Sequence, residues 1–234
     1  MARVMQESLL PKVLPSEDNV VFHGNLHQTQ KVGGDFYDVF RLPDGRYCIF
    51  VGDVSGHGVA AAFPIMLVKN ALHNTAFVDH PGMALGEMNQ MLSKLLEEAR
   101  FMTAFLGIYN PLTRKLHYAN AGHPKPIHAK GSPVVLESLP SQGVPLGFFS
   151  TETYEEFETE LASGETLYLY TDGITDVLNL EKGGFGERRL KSFLQETHGI
   201  DFELQEKKLF ERLLEYSGQE KIEDDALWIV IQAK

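Results

Sequence analysis

Apolar and polar positions alternate along this chain in short blocks, interrupted by two longer stretches of helical spacing. Val20-Val21-Phe22-His23-Gly24-Asn25-Leu26 reads as a first strand. Val39-Phe40-Arg41-Leu42 and Tyr47-Cys48-Ile49-Phe50-Val51 flank Pro43-Asp44-Gly45 as a hairpin whose second strand runs on to Asp53. Residues 59–75 and 82–99 predict two helices. Pro64 belongs in or near the first turn of the first, and Met83, Leu85, Met88, Met91, Leu92, Leu95 and Leu96 mark a core-facing stripe on the second. Strand patterns return at 102–109, 115–119, 126–130, 134–137, 153–161 and 165–170. Helical patterns follow at 187–197 and 202–216, and a last strand at 226–232. Many antiparallel strands with paired helices predict an α+β sandwich.

Length and composition agree with one substantial core, because 234 residues with 43% hydrophobic side chains suit a single domain better than two. That domain is expected to span 15–234. Residues 1–14 read as the end of a helix stopped at Pro11, expected to link to an upstream receiver or sensor domain. Thirty-two acidic against twenty-one basic residues give a net charge of −11, the wrong sign for nucleic acid or an anionic membrane. No apolar run approaches the roughly 20 residues of a membrane helix, and no secretory leader is evident, so a cytoplasmic protein is expected. The single cysteine, Cys48, sits in a strand pattern and is expected to be a core residue.

The chemistry lies in scattered carboxylates: Asp35 in Gly33-Gly34-Asp35-Phe36-Tyr37-Asp38, Asp53 in Asp53-Val54-Ser55-Gly56-His57-Gly58, Asp172 in Thr171-Asp172-Gly173, and Asp224 in Glu223-Asp224-Asp225. A lone Asp-Gly is more often a turn, as at Asp44-Gly45. Three of these four, however, adjoin strand-like apolar runs, which is how a fold aims distant carboxylates into one cleft. Gathered without cations they would repel one another, and hard divalent ions such as Mg and Mn prefer such oxygens. Two such ions would favour in-line displacement at phosphorus.

The chain resembles the stage II sporulation protein E-type phosphatases, a bacterial branch of the metal-dependent, protein phosphatase 2C-like serine/threonine phosphatases. Six motifs carry the resemblance, in order: Leu9-Leu10-Pro11, the Asp35 and Asp53 motifs, Asn120-Ala121-Gly122-His123-Pro124, Tyr170-Thr171-Asp172-Gly173-Ile174-Thr175-Asp176, and Asp224-Asp225. The resemblance implies two packed, mostly antiparallel sheets flanked by paired helices. It further implies that Asp53 bridges two Mn or Mg ions, with Asp35 and the Val54 carbonyl on one and Asp172 and Asp224 on the other. Asp225 is the alternative to Asp224. Asp38 and Asp176 are expected to support ligands or cap helices, and the Asn120 motif to form a tight turn beneath the site. Where eukaryotic relatives carry a phosphate-clamping arginine this chain offers Lys31, and where they carry a histidine it has Ser55, leaving His57 as the candidate general acid.

By the same resemblance the reaction is hydrolysis by metal-activated water, without a covalent enzyme intermediate. The substrate is expected to be a small regulatory phosphoprotein such as a STAS-like anti-sigma factor antagonist. Regulation through the two helices after Asp53, with possible homodimerisation, is the expected control. Two rivals stand beside this reading. A diguanylate cyclase would match Gly33-Gly34-Asp35-Phe36 but lacks the signature glutamate. A phosphatase-fold adaptor would bind its partner with little or no turnover.

Overall fold

The computed structural model describes residues 8–29, 33–56, 58–73, 79–96 and 100–234. The expected helix over 1–10 lies mostly outside these residues. Ser8 and Leu9 are helical, and the chain leaves the helix before Pro11.

Two antiparallel sheets face one another. In chain order the strands are β1 (Ser16–Glu17), β2 (Val20–His27), β3 (Asp35–Arg41), β4 (Tyr47–Val54), β5 (Met102–Asn110), β6 (Lys115–Ala121), β7 (Ile127–Lys130), β8 (Val135–Ser138), β9 (Glu156–Glu160), β10 (Thr166–Tyr170), β11 (Leu178–Asn179), β12 (Gly183–Gly184) and β13 (Ala226–Ala233). One sheet runs β1-β2-β13-β10-β7-β8, the other β3-β4-β5-β6-β9, and β11-β12 is a separate small hairpin. The helices are α1 (Val59–Leu72), α2 (Pro81–Leu92), α3 (Asp172–Thr175), α4 (Gly186–Glu196) and α5 (Phe202–Ser217).

The two-residue period of each strand sorts its side chains between layers. On β13, Leu227, Ile229 and Ile231 enter the core between the sheets, while Ala226, Trp228 and Val230 face α4 and α5. On β4, Tyr47, Ile49 and Val51 enter the inter-sheet core, while Cys48, Phe50 and Val54 join the core under α1 and α2. The layers are therefore helices, sheet, sheet, helices, as the resemblance implied. Cys48 is buried and free.

Pro64 lies inside α1, just past its first turn and so near it as expected. It has no N–H to return to the Ala60 carbonyl, a defect the surrounding packing tolerates. Met83 and Leu95 are not core: they are 58% and 47% exposed, whereas Leu85, Met88 and Leu92 carry the buried stripe. α2 also ends at Leu92, with 97–99 outside the described residues. Finally, β1, β11, β12 and α3 are too short for a periodic pattern to reveal.

Parity also decides the place of Asp38. It shares the helix-facing side of β3 with Phe36, opposite to Asp35, and is buried. Its Oδ2 lies 3.0 Å from Lys69 Nζ and 3.1 Å from His73 Nε2 at the end of α1. The Lys69 ammonium also donates to the Leu9 carbonyl. One lysine thus ties the segment before residue 11, α1 and β3 together. Lys69→Met is expected to cost about 2 kcal/mol in urea denaturation, because it leaves a buried carboxylate short of a donor.

Candidate active site

Strand parity brings the carboxylates together. Asp53 follows Tyr47, Ile49 and Val51 on the inter-sheet side of β4, and Asp35 shares that side of β3 with Tyr37 and Val39. The two face each other as Cα partners in the β3–β4 ladder. In the opposite sheet, β10 ends where β13 begins, so Thr171 and Asp225 continue the inter-sheet faces of Leu167, Leu169 and Leu227. All four positions cap the same end of the space between the sheets. Asp172 opens α3 immediately beyond β10.

Gly34, Asp35, Asp53, Val54, Gly56, Asp172, Asp224 and Asp225 line a cavity of about 190 Å³ there. Asp35 and Asp225 are buried, Asp53 is half-buried, and Asp172 and Asp224 stand at the open mouth. Thr171 fixes Asp35: its Oγ1 donates to Asp35 Oδ2 at 2.7 Å and accepts from the Leu227 N–H at 2.9 Å. Asp225 Oδ1 accepts from the Thr29 N–H at 2.8 Å and its Oγ1 at 3.2 Å. Asp224 Oδ1 accepts the Asp225 N–H at 2.8 Å. At the end of β6, the Asn120 motif forms the expected tight turn, with Gly122 at φ 68° and Asn120 bonded to the His123 backbone at both ends of its amide. His123 shares a hydrogen bond with Thr103 Oγ1 at 3.0 Å, and Thr103 pairs with Asp53 across β4–β5. Burial pushes the His123 imidazole down to about 3, so it stays neutral.

Crowding shows in the acidities. Burial first, then Asp53, Asp225 and Asp172, raise the Asp35 carboxyl well above the usual range, against the Thr171 hydrogen bond. Burial, Asp172 and Asp224 push Asp53 up to about 7, with a hydrogen bond from Asp35 opposing. Asp172 is raised by desolvation at the cavity wall and by Asp176 and Asp224. Such a set is short of positive charge.

The donor set fits a hard divalent cation: carboxylates plus the Val54 carbonyl, converging on one cavity. Gly34 completes the cradle. A Cβ there would overlap the Val54 carbonyl oxygen and the Asp53 carboxylate. Among the described residues no three acidic, histidine or cysteine side chains close on one common point. The carboxylates ring the cavity, so the fit rests on donor chemistry rather than on a preformed cage.

Of the other candidates, Asp38 lies on the far face of β3, paired with α1. Asp176 is the C-cap residue of α3 and lines an adjoining cavity. Asp44 is the expected turn, bonded to Arg46. Lys31 and His57 lie outside the described residues. Sequence reasoning missed Thr171. As the residue before α3 it looks like an N-cap, yet it makes no side-chain cap hydrogen bond there; its hydroxyl serves Asp35 instead. Thr171→Val, which strands both partners, is expected to cost ~1–3 kcal/mol in chemical denaturation.

Comparison with known proteins agrees with this architecture. The family model described as stage II sporulation protein E (SpoIIE) matches residues 43–234. Phosphoserine phosphatase RsbU of Bacillus subtilis is 25% identical across 100% of this chain and 69% of its own length. Protein IcfG of Synechocystis is 29% identical over 82% of this chain, which spans 34% of that protein. The SiaA-PP2C domain of Pseudomonas aeruginosa superposes with a TM-score of 0.80 at 28% identity, covering 100% of this chain and 94% of that domain. Among the described residues no helix is long and apolar enough to cross a membrane. The chain belongs to the stage II sporulation protein E family of PP2C-type protein serine/threonine phosphatase domains.

Proposed function

We propose that residues 15–234 hydrolyse phosphoserine or phosphothreonine on a small regulatory protein of the anti-sigma factor antagonist class, in a bacterial cytoplasm. The observation that carries this reading is the convergence of Asp35, Asp53, Asp172, Asp224 and Asp225, from distant parts of the sequence, on one cavity open to solvent. The RsbU likeness supports the phosphoserine substrate. Asp35, Asp53, the Val54 carbonyl, Asp172 and Asp224 would hold Mn or Mg, with Asp225 better occupied in fixing Thr29. When bound, two divalent ions polarise phosphoryl oxygens and acidify water.

The chain's own groups do the positioning. Thr171 keeps one oxygen of Asp35 engaged and so aims the other. Neutral His123 holds Thr103 on β5, the residue paired with Asp53, and Asn120 fixes the His123 backbone. Asp172 and Asp224 stand at the mouth, where a divalent ion they held would face a phosphoryl group arriving from solvent. Residues 1–14 are read as a linking segment whose docking sets activity through α1, supported by the Lys69 bridge from Leu9 to Asp38.

The test is phosphate release from an aryl phosphate and a phosphoserine peptide with Mn, with Mg and with chelator. Turnover confined to the metal-containing samples is expected. Stoichiometric capture of a phosphoprotein partner without turnover in any sample would support the adaptor reading.

A further inference from the structure

A second cavity, of about 320 Å³, adjoins the first and shares Asp224 with it. Its floor includes Val177 and Ile222, and Asp176 and Glu223 join Asp224 in its wall. No lining residue is basic: Lys182 and Lys221, close by in the chain, are not among them. The β11–β12 hairpin contributes Leu178 to the lining, and Leu178 and Leu180 are 56% and 96% exposed.

The hairpin is not a loose loop. Asn179 Nδ2 donates to the Tyr216 carbonyl, and Tyr216 Oη donates to the Gly183 carbonyl at 2.9 Å. Asn179 Oδ1 closes the turn by accepting the N–H groups of Glu181 and Lys182. The Arg189 guanidinium covers the Tyr216 ring at 4.9 Å. Two leucines held in water on an anchored hairpin lose hydration only when something covers them.

We propose that this cavity and hairpin dock the substrate residues flanking the phosphorylated side chain, and select a basic residue accompanied by an apolar one. The inference rests on the phosphatase reading and names its substrate class. Contiguity places the surface, because a phosphoserine over Asp172 and Asp224 must lay its neighbours on the adjoining cavity or the opposite rim. Charge complementarity supplies the occupant: an arginine or lysine stem suits the Val177–Ile222 floor while its head meets Asp176 and Glu223. Each of these two carboxylates accepts one neutral hydrogen bond, from Thr175 to Asp176 Oδ1 and from Gln219 to Glu223 Oε1, and neither is paired with a cation in the ion pairs found among the described residues. The leucines offer the flanking apolar contact.

The test compares kcat/KM for a phosphoserine peptide carrying Arg and Leu neighbours with that for an alanine-flanked peptide, on the unaltered chain, Glu223→Lys and Leu178→Ser/Leu180→Ser. A preference of about tenfold for the Arg/Leu peptide is expected in the unaltered chain. Glu223→Lys should abolish or reverse it and the leucine pair should raise KM alone, while aryl phosphate turnover stays within about twofold in each variant. Equal rates on both peptides, or an unchanged preference in Glu223→Lys, overturn the docking surface. Fluorescence anisotropy with the labelled Arg/Leu peptide reads docking without turnover. Loss of aryl phosphate turnover in the unaltered chain therefore sinks the phosphatase reading separately, while failure of the peptide to bind more tightly than its alanine counterpart sinks this one.

Discussion

Asparagine at position 53 is expected to lower metal-dependent phosphate release by a factor on the order of a thousand or more, ~4 kcal/mol of barrier. Asp53 lies at the centre of the carboxylate set, facing Asp35 in the ladder and feeling Asp172 and Asp224 across the cavity. Removing its charge would weaken the hold on a divalent ion, because a neutral amide is a poorer ligand for a hard cation than a carboxylate. The same substitution has the opposite effect on the metal-free fold. An acid pushed up to about 7 by burial and neighbouring carboxylates is one the folded chain bears at a cost. In chelator at pH 8, Asp53→Asn is thus expected to melt a few degrees above the unaltered chain. With Mn present the order should invert, because only the unaltered chain gains stability from binding. Melting curves with and without Mn check both halves.

The second large effect is expected at Gly34, from a single added methyl group. The Gly34 carbonyl accepts the Val54 N–H at 3.1 Å, which pins the strand ends together. A Cβ would enter the space of the Val54 carbonyl and the Asp53 carboxylate. Both are proposed ligand atoms, so backbone must move where position matters most. Gly34→Ala should cost about 1–3 kcal/mol of stability. Turnover should drop roughly a hundredfold, since misplacement on the order of 1 Å suffices for that. Gly173 provides a comparison, because a Cβ there would overlap the Asp225 carbonyl across the cavity wall. Unchanged circular dichroism with lost turnover in Gly34→Ala would separate a spoiled cradle from a spoiled fold.

Much of the fold and of the carboxylate set is legible in the amino-acid sequence itself. The alternation through 47–53 puts Asp53 on the face of Tyr47, Ile49 and Val51, and the last strand puts Asp225 on the face of Leu227 and Ile229. Alternation alone does not say that these faces meet. Pairing of β13 with β10 and β2 joins segments far apart in sequence, and the family resemblance, not periodicity, supplies that knowledge. Contacts between elements decide the remaining surprises. Thr171 gives its hydroxyl to Asp35 rather than to the helix it precedes. Asp38 turns to Lys69 and His73, although it stands only three residues from Asp35. Met83 carries helical spacing yet faces outward, since an apolar period marks a stripe without fixing its edges. The β11–β12 hairpin has two residues per strand, too few for any period, and is held by Tyr216 from α5 instead.

If the carboxylates between the sheets hold the metal on which phosphate release depends, Mn affinity and turnover must fall together. The most direct measurement follows Mn binding by calorimetry and phosphoserine-peptide turnover in the same samples of the unaltered chain and Asp172→Asn. Asp172 stands at the mouth, where its replacement should leave the fold intact. Loss of both Mn affinity and turnover in Asp172→Asn, with melting in chelator unchanged or raised, is the expected result. Turnover that persists in chelator, or Mn affinity that Asp172→Asn leaves untouched, would contradict it.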